Sequence, residues 1–120
     1  MTDYTTEQLV AFFIEKLQEK KAEDIISIDI RKMDNAMTEF LLICTGTTNI
    51  HVQAIADFLL EETKKEFKEV PFSKEGFDNS FWILLDYVNI VVHIFQPEYR
   101  TFYDIESLWA DGEIKTHTEN

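Results

Sequence analysis

Phe81-Trp82-Ile83-Leu84-Leu85-Asp86-Tyr87-Val88-Asn89-Ile90-Val91-Val92-His93-Ile94-Phe95 is the stretch whose reading decides the fold. Two runs of β-branched and aromatic residues flank Val88-Asn89, and a two-residue connection predicts an antiparallel hairpin. With Tyr87 opposite Ile90, Leu85 faces Val92 and Ile83 faces Ile94, all on one wholly apolar side that belongs to a core. The other side pairs Trp82 with Phe95, Leu84 with His93 and Asp86 with Val91, so an aromatic cluster stands beside a carboxylate and an imidazole. Two readings of this mixed face stay open. Either a helix covers it, with Asp86 and His93 hydrogen-bonded inside, or it is a partly exposed anchor of the kind Trp and Tyr provide at protein interfaces.

Upstream, Thr5-Thr6-Glu7-Gln8 has the pattern of a capping box, with Tyr4 and Leu9 placed for a hydrophobic staple. Leu9, Val10, Phe13, Ile14 and Leu17 continue at helical spacing, which predicts a first helix over about 6–20. A short β-branched run over 24–30 is a strand candidate. The continuous Phe40-Leu41-Leu42-Ile43-Cys44 run predicts a strand over 40–45, buried on both faces in the middle of a sheet. Gly46-Thr47-Thr48-Asn49 then turns the chain into a second helix capped by Thr48 or Asn49, with Val52, Ile55, Ala56, Leu59 and Thr63 facing inward. Residues 70–77 suggest a short edge strand beside Pro71. After Pro97, Tyr99, Phe102, Tyr103, Leu108 and Trp109 predict a short aromatic helix. The order implies one α/β domain over 1–109, a mixed β-sheet of about five strands with flanking helices, followed by a polar tail over 110–120.

Composition narrows the function classes. The chain has 120 residues, enough for one core, with ten Phe among its 13% aromatic residues. Eleven Lys and Arg against 23 Asp and Glu give a formal charge of −12. So acidic a surface repels phosphate, excludes broad nucleic-acid binding, and suits either solubility or a basic protein partner. No apolar stretch reaches the roughly 20 residues of a membrane span. The opening Met1-Thr2-Asp3-Tyr4 has neither signal-peptide nor presequence character, so a cytoplasmic location without membrane contact is expected.

Catalytic signals are sparse. Cys44, the single cysteine, sits inside an apolar run, as a buried inert thiol would. His51, His93 and His117 lack metal-type spacing, so no metal or other cofactor is expected. Gly46-Thr47 is vaguely similar to the glycine–serine element of nucleotidyltransferases, but no acidic pair follows to hold metal ions, and a tight turn with an N-cap is the plainer reading. An enzyme is not expected.

Several segments in order carry a resemblance. Lys21-Ala22-Glu23-Asp24-Ile25 with Asp29, Cys44-Thr45-Gly46-Thr47-Thr48-Asn49, Ala54-Ile55-Ala56-Asp57, the hairpin segments 82–87 and 91–95, and Arg100, Phe102-Tyr103-Asp104 and Leu108-Trp109 resemble the ribosomal silencing factor family (RsfS, YbeB or Iojap). Glu39 stands where that family usually has Asp, and Val88 where its hairpin turn usually has Gly. The resemblance implies a nucleotidyltransferase-like fold without catalytic residues, and binding to the large ribosomal subunit through ribosomal protein fourteen. It further implies that joining of the two subunits is blocked sterically when nutrients are scarce. Partner contacts implied by matched positions are Trp82, Asp86, Tyr87, His93 and Tyr103, although the hairpin register puts Tyr87 on the core face. The resemblance also implies a homodimer when the protein is free. The rival classes are a nucleotide-handling enzyme that reuses the Gly46 turn, and a general acidic adaptor.

Overall fold

A computed structural model describes residues 3–118; Met1 and Thr2 of the opening segment and the last two residues of the expected tail lie outside it. Helix α1 spans Thr6–Glu19 and starts on a complete capping box. Thr5 Oγ1 accepts from the Gln8 amide at 3.1 Å, and Gln8 Oε1 accepts from the Thr5 amide at 2.8 Å. Tyr4 packs edge-on against Phe67 at 4.7 Å and its hydroxyl bonds Glu69, which ties the start of α1 to the end of the second helix. That helix, α2, spans Asn49–Phe67 with Thr48 as its cap, and the predicted inward stripe is its buried face.

The strands are β1 (Glu23–Asp29), β2 (Phe40–Thr45), β3 (Ser73–Glu75), β4 (Trp82–Asp86), β5 (Ile90–Phe95) and β6 (Glu113–His117). They form one mixed sheet in the order β3-β4-β5-β2-β1-β6. Only β2 and β5 run parallel; every other neighbouring pair is antiparallel. β2 lies between β5 and β1 and is buried along its whole length, which is why its sequence is continuously apolar.

The hairpin has the predicted register, Trp82 with Phe95 through Asp86 with Val91. Its turn is not the usual type I′. Val88 holds a positive φ of 76°, and the Asn89 amide bonds the Tyr87 carbonyl at 2.9 Å, a three-residue γ-turn that a β-branched side chain rarely adopts. The strain is held by two bonds on either side of it: the Val88 amide to Asp86 Oδ1 at 2.8 Å and the Tyr87 amide to the Ile90 carbonyl at 2.8 Å.

Two apolar layers flank the sheet. Beneath α1 and α2 lie Phe13, Leu17, Leu59, Ile83, Leu85 and Val92, all fully buried. The opposite face carries a smaller cluster of Ile28, Ile30, Ile43, Phe95 and Ile105. It is covered by two short helices, α3 (Pro97–Tyr103) and α4 (Ile105–Leu108), where the sequence suggested one.

The expected polar tail is corrected. Residues 113–117 form β6, paired antiparallel to β1 from Ile25–His117 to Asp29–Glu113, so the sheet has six strands rather than about five. β6 covers an open edge without burying its own side chains; its residues are exposed apart from His117, whose Nε2 meets Ser27 Oγ at 2.8 Å. The bonds along β1 make the strand, and hydropathy carries little trace of that.

Candidate functional site

The two small helices cover only part of the second sheet face, and the rest is a groove of about 750 Å³. Its floor is Trp82, Leu84 and Asp86 of β4 with Val91 and His93 of β5. Loops and α4 supply the walls, notably Met37, Phe72 and Leu108, which are 92%, 81% and 71% exposed. Exposed apolar side chains thus rim an apolar trough, and patches of this kind are where proteins in general meet partners or ligands. The helices cover one half of the mixed hairpin face, with His93 hydrogen-bonded beneath them, and leave the other half, with Asp86, partly exposed. α3 and α4 cover the Phe95 end, and the Leu84–Val91 end is open.

Arg100 fixes where the cover stops. Its guanidinium grips Glu106 through Nε at 3.0 Å and Nη2 at 3.2 Å, while Nη1 donates to Thr45 Oγ1 at 2.8 Å and to the Asp24 carbonyl at 2.7 Å. One side chain thereby clamps α3 and α4 to the ends of β1 and β2.

At the boundary between cover and groove lies an aromatic cluster. The Trp82 ring stacks on Phe95 at 4.8 Å and meets Tyr103 at 4.9 Å, and its Nε1–H donates to His93 Nδ1 at 3.0 Å. Burial pushes the His93 imidazole down to about 4, against the opposing pull of the Asp86 charge, so the ring is neutral at physiological pH. Asp86 and, across β3, Glu75 line the same trough, and neither forms an ion pair with a cation among the described residues.

Trp82, Asp86, His93 and Tyr103 are thus brought to one face, three in the groove floor and Tyr103 half-exposed against Trp82. Tyr87 is not with them. It turns to the α1 side and packs on Phe13 at 4.9 Å, and burial raises its hydroxyl to about 12. It keeps the core-face position that the hairpin register gives it, apart from the other four implied contacts. Sequence reasoning missed Met37, Phe72 and Glu75, which reach the groove from segments far from the hairpin. Their only sequence signal is two large apolar residues in otherwise polar or Pro-containing stretches.

The Gly46 turn is occupied by its own neighbours. A Cβ at Gly46 would lie 2.8 Å from Val52 Cγ2 and 2.9 Å from the Val52 amide nitrogen, so glycine is required for packing. The Thr47 amide donates to His51 Nδ1 at 2.9 Å, the His51 amide to Thr48 Oγ1 at 3.1 Å, and the Gly46 amide to the Phe95 carbonyl at 2.8 Å. The Gly46, Thr47 and His51 amides are thus taken up by the turn and its neighbours rather than left to face a phosphate. Cys44 is sealed in the core, its thiol raised to about 12 by burial. Among the described residues no group of three or more His, Cys, Asp and Glu is placed to hold a metal ion. In a second cavity, about 660 Å³ between α1 and β6, Arg31 is held by Glu7 at 2.6 Å and by Asp29 at 2.7 Å.

Comparison with known proteins bears on what this surface meets. Residues 3–120 match the family model "Ribosomal silencing factor during starvation". The chain is 40% identical over 102 residues to the ribosomal silencing factor RsfS of Haemophilus influenzae, covering 85% of this chain and 98% of that protein. It is 28% identical over 103 residues to the mouse protein named "Mitochondrial assembly of ribosomal large subunit protein 1", covering 84% of this chain and 45% of the other. A crystal structure of a Chromobacterium violaceum protein superposes with a TM-score of 0.84 at 28% identity, over 97% of this chain and 95% of that one.

Proposed function

Because the chain belongs to the ribosomal silencing factor family, we propose that it binds the large ribosomal subunit through ribosomal protein fourteen, using the groove between β4, β5 and α4. The bound protein occupies the face where the small subunit docks, and subunit joining is blocked by bulk alone. Translation is thereby held down in the cytoplasm when nutrients are scarce.

The observation that carries this reading is the groove itself: an apolar trough beside Asp86 and Glu75, two carboxylates with no cation partner among the described residues. Ribosomal proteins are basic as a class, and a chain of formal charge −12 attracts one over distance while repelling bare RNA. The family name and the mouse relative's name both point to the ribosome, the latter to its large subunit. Steric obstruction needs no chemistry, in keeping with a Gly46-Thr47 turn whose two amides are already bonded.

Sucrose-gradient sedimentation with separated subunits tests the proposal. The protein should travel with the large subunit and not the small one, and an excess should lower the yield of joined ribosomes. Equal sedimentation with both subunits, or unchanged joining, would refute it. Gradients run without ribosomes read the dimer proposed for the free protein.

A further inference from the structure

We propose that His93 is the recognition donor of the groove: its Nε2–H, held in place by the Trp82 indole, hydrogen-bonds a neutral acceptor, a main-chain carbonyl, on a segment of a basic protein laid along the trough. The inference rests on the docking reading above and adds what the occupant must present.

The tautomer follows from inventory. An indole nitrogen can only donate, so at 3.0 Å from Trp82 Nε1 the His93 Nδ1 must be the accepting, unprotonated nitrogen. The proton of the neutral ring is then on Nε2. No described group bonds Nε2, although the residue is only 8% exposed and lines the groove. Nor is Nε2 sealed off, since the side-chain polar atoms buried without a partner among the described residues are Thr63 Oγ1 and Tyr87 OH. One unpaired donor thus belongs to the groove floor, with its orientation set by a Trp82 ring stacked on Phe95 and tilted against Tyr103.

Charge decides which acceptor suits it. A carboxylate from the partner would meet Asp86 and Glu75, both lining the same trough and neither ion-paired among the described residues. A carbonyl meets no such repulsion, and Lys or Arg beside it in the partner would reach the two acids. The occupant is therefore a segment with an apolar side chain on the floor, a carbonyl over His93 and basic residues toward β3. Trp82 acts here as a positioning residue as well as part of the floor, because its N–H selects the tautomer.

Two measurements test this. Long-range nitrogen–proton NMR of the free protein near pH 7 should show His93 as the Nε2–H tautomer alone, and Trp82→Phe should spread it over both tautomers. An Nδ1–H ring in the parent overturns the proposal. In co-sedimentation with separated large subunits, His93→Gln should stay within about threefold of the parent, since its oxygen can take the indole N–H and its amide can still donate. His93→Leu, similar in bulk but without polar atoms, should lose about tenfold. Equal binding by His93→Leu, or an equal loss in His93→Gln with unchanged melting, overturns the donor role while the docking reading stands. A parent that does not travel with the large subunit overturns both.

Discussion

Arg100 and Glu106 face each other across the α3–α4 junction through two parallel hydrogen bonds, 3.0 and 3.2 Å long, with the arginine side chain only 12% exposed. Bidentate geometry of this kind is specific to the guanidinium fork. Arg100→Lys should therefore behave nearly as badly as Arg100→Met. Each should lower stability by about 2 kcal/mol, less than a fully buried pair would because Glu106 is partly solvated. Each should also weaken large-subunit binding without touching the groove, since Ile105 and Leu108 form one wall and lose their anchor. Thermal melting and co-sedimentation read the two effects; a Lys variant that behaves like the parent would show that charge, not the fork, holds α4.

Trp82 is both floor and cover, so its truncation cannot be purely a binding defect. Stacked on Phe95 and packed into the smaller core, Trp82→Ala should cost about 2–3 kcal/mol of stability. It should also reduce binding by roughly 30-fold or more. Trp82→Phe keeps most of the ring and should melt close to the parent while still binding less well. Calorimetry beside co-sedimentation separates the pair.

His93 makes stability depend on pH in a defined window. The folded ring titrates near 4 against 6.5 for the free side chain, so between these values the unfolded chain binds the extra proton and folding weakens as pH falls. The contribution is complete above 6.5, and falls by about 3 kcal/mol on the way to pH 4, at about 1.4 kcal/mol per pH unit. His93→Gln should flatten this part of the stability curve. Denaturant unfolding of both proteins from pH 7 to 4 measures the difference; parallel curves would mean that the ring is solvated in the folded state.

Gly46→Ala should destabilise the fold by about 1–3 kcal/mol, because the new methyl meets the Val52 backbone as well as its Cγ2, and the backbone cannot yield as a side chain can. Magnesium–nucleotide titration of the parent should show no saturable binding. Saturable binding lost in the alanine variant would revive the enzyme reading.

β6 can be tested by ending the chain at Gly112. Its residues bury little of themselves, so the core should survive. The exposed edge of β1, with Ile25, Ile26 and Ile28, becomes a template for pairing with other chains. Light scattering should rise with concentration in the shortened protein and not in the parent.

What could be read from residues and what could not follows from where the physics is local. The hairpin register was legible because alternation with period two leaves few ways to bury Ile83, Leu85, Val92 and Ile94 together. The α2 stripe and both caps were legible for the same reason, each being set within a few neighbouring positions. β6 was not, because Glu113–His117 becomes a strand by borrowing β1's free edge. The groove was half legible: its floor is the hairpin, but Met37, Phe72 and Glu75 arrive from distant segments. Tyr87 shows that a residue matched to a family's contact segment can still face inward when strand parity dictates it.

The single parallel seam between β2 and β5 also sets how the chain can assemble. Every other pairing except that of β6 joins strands close in sequence, so β1–β2 and β4–β5 can zip up early as independent hairpins. The seam closes a loop that contains α2, β3 and β4, and closing so long a loop should be slower than zipping either hairpin. Substitutions at Leu42 or Val92, which face each other there, should therefore retard refolding. Loss of the late-joining β6 should act instead by hastening unfolding.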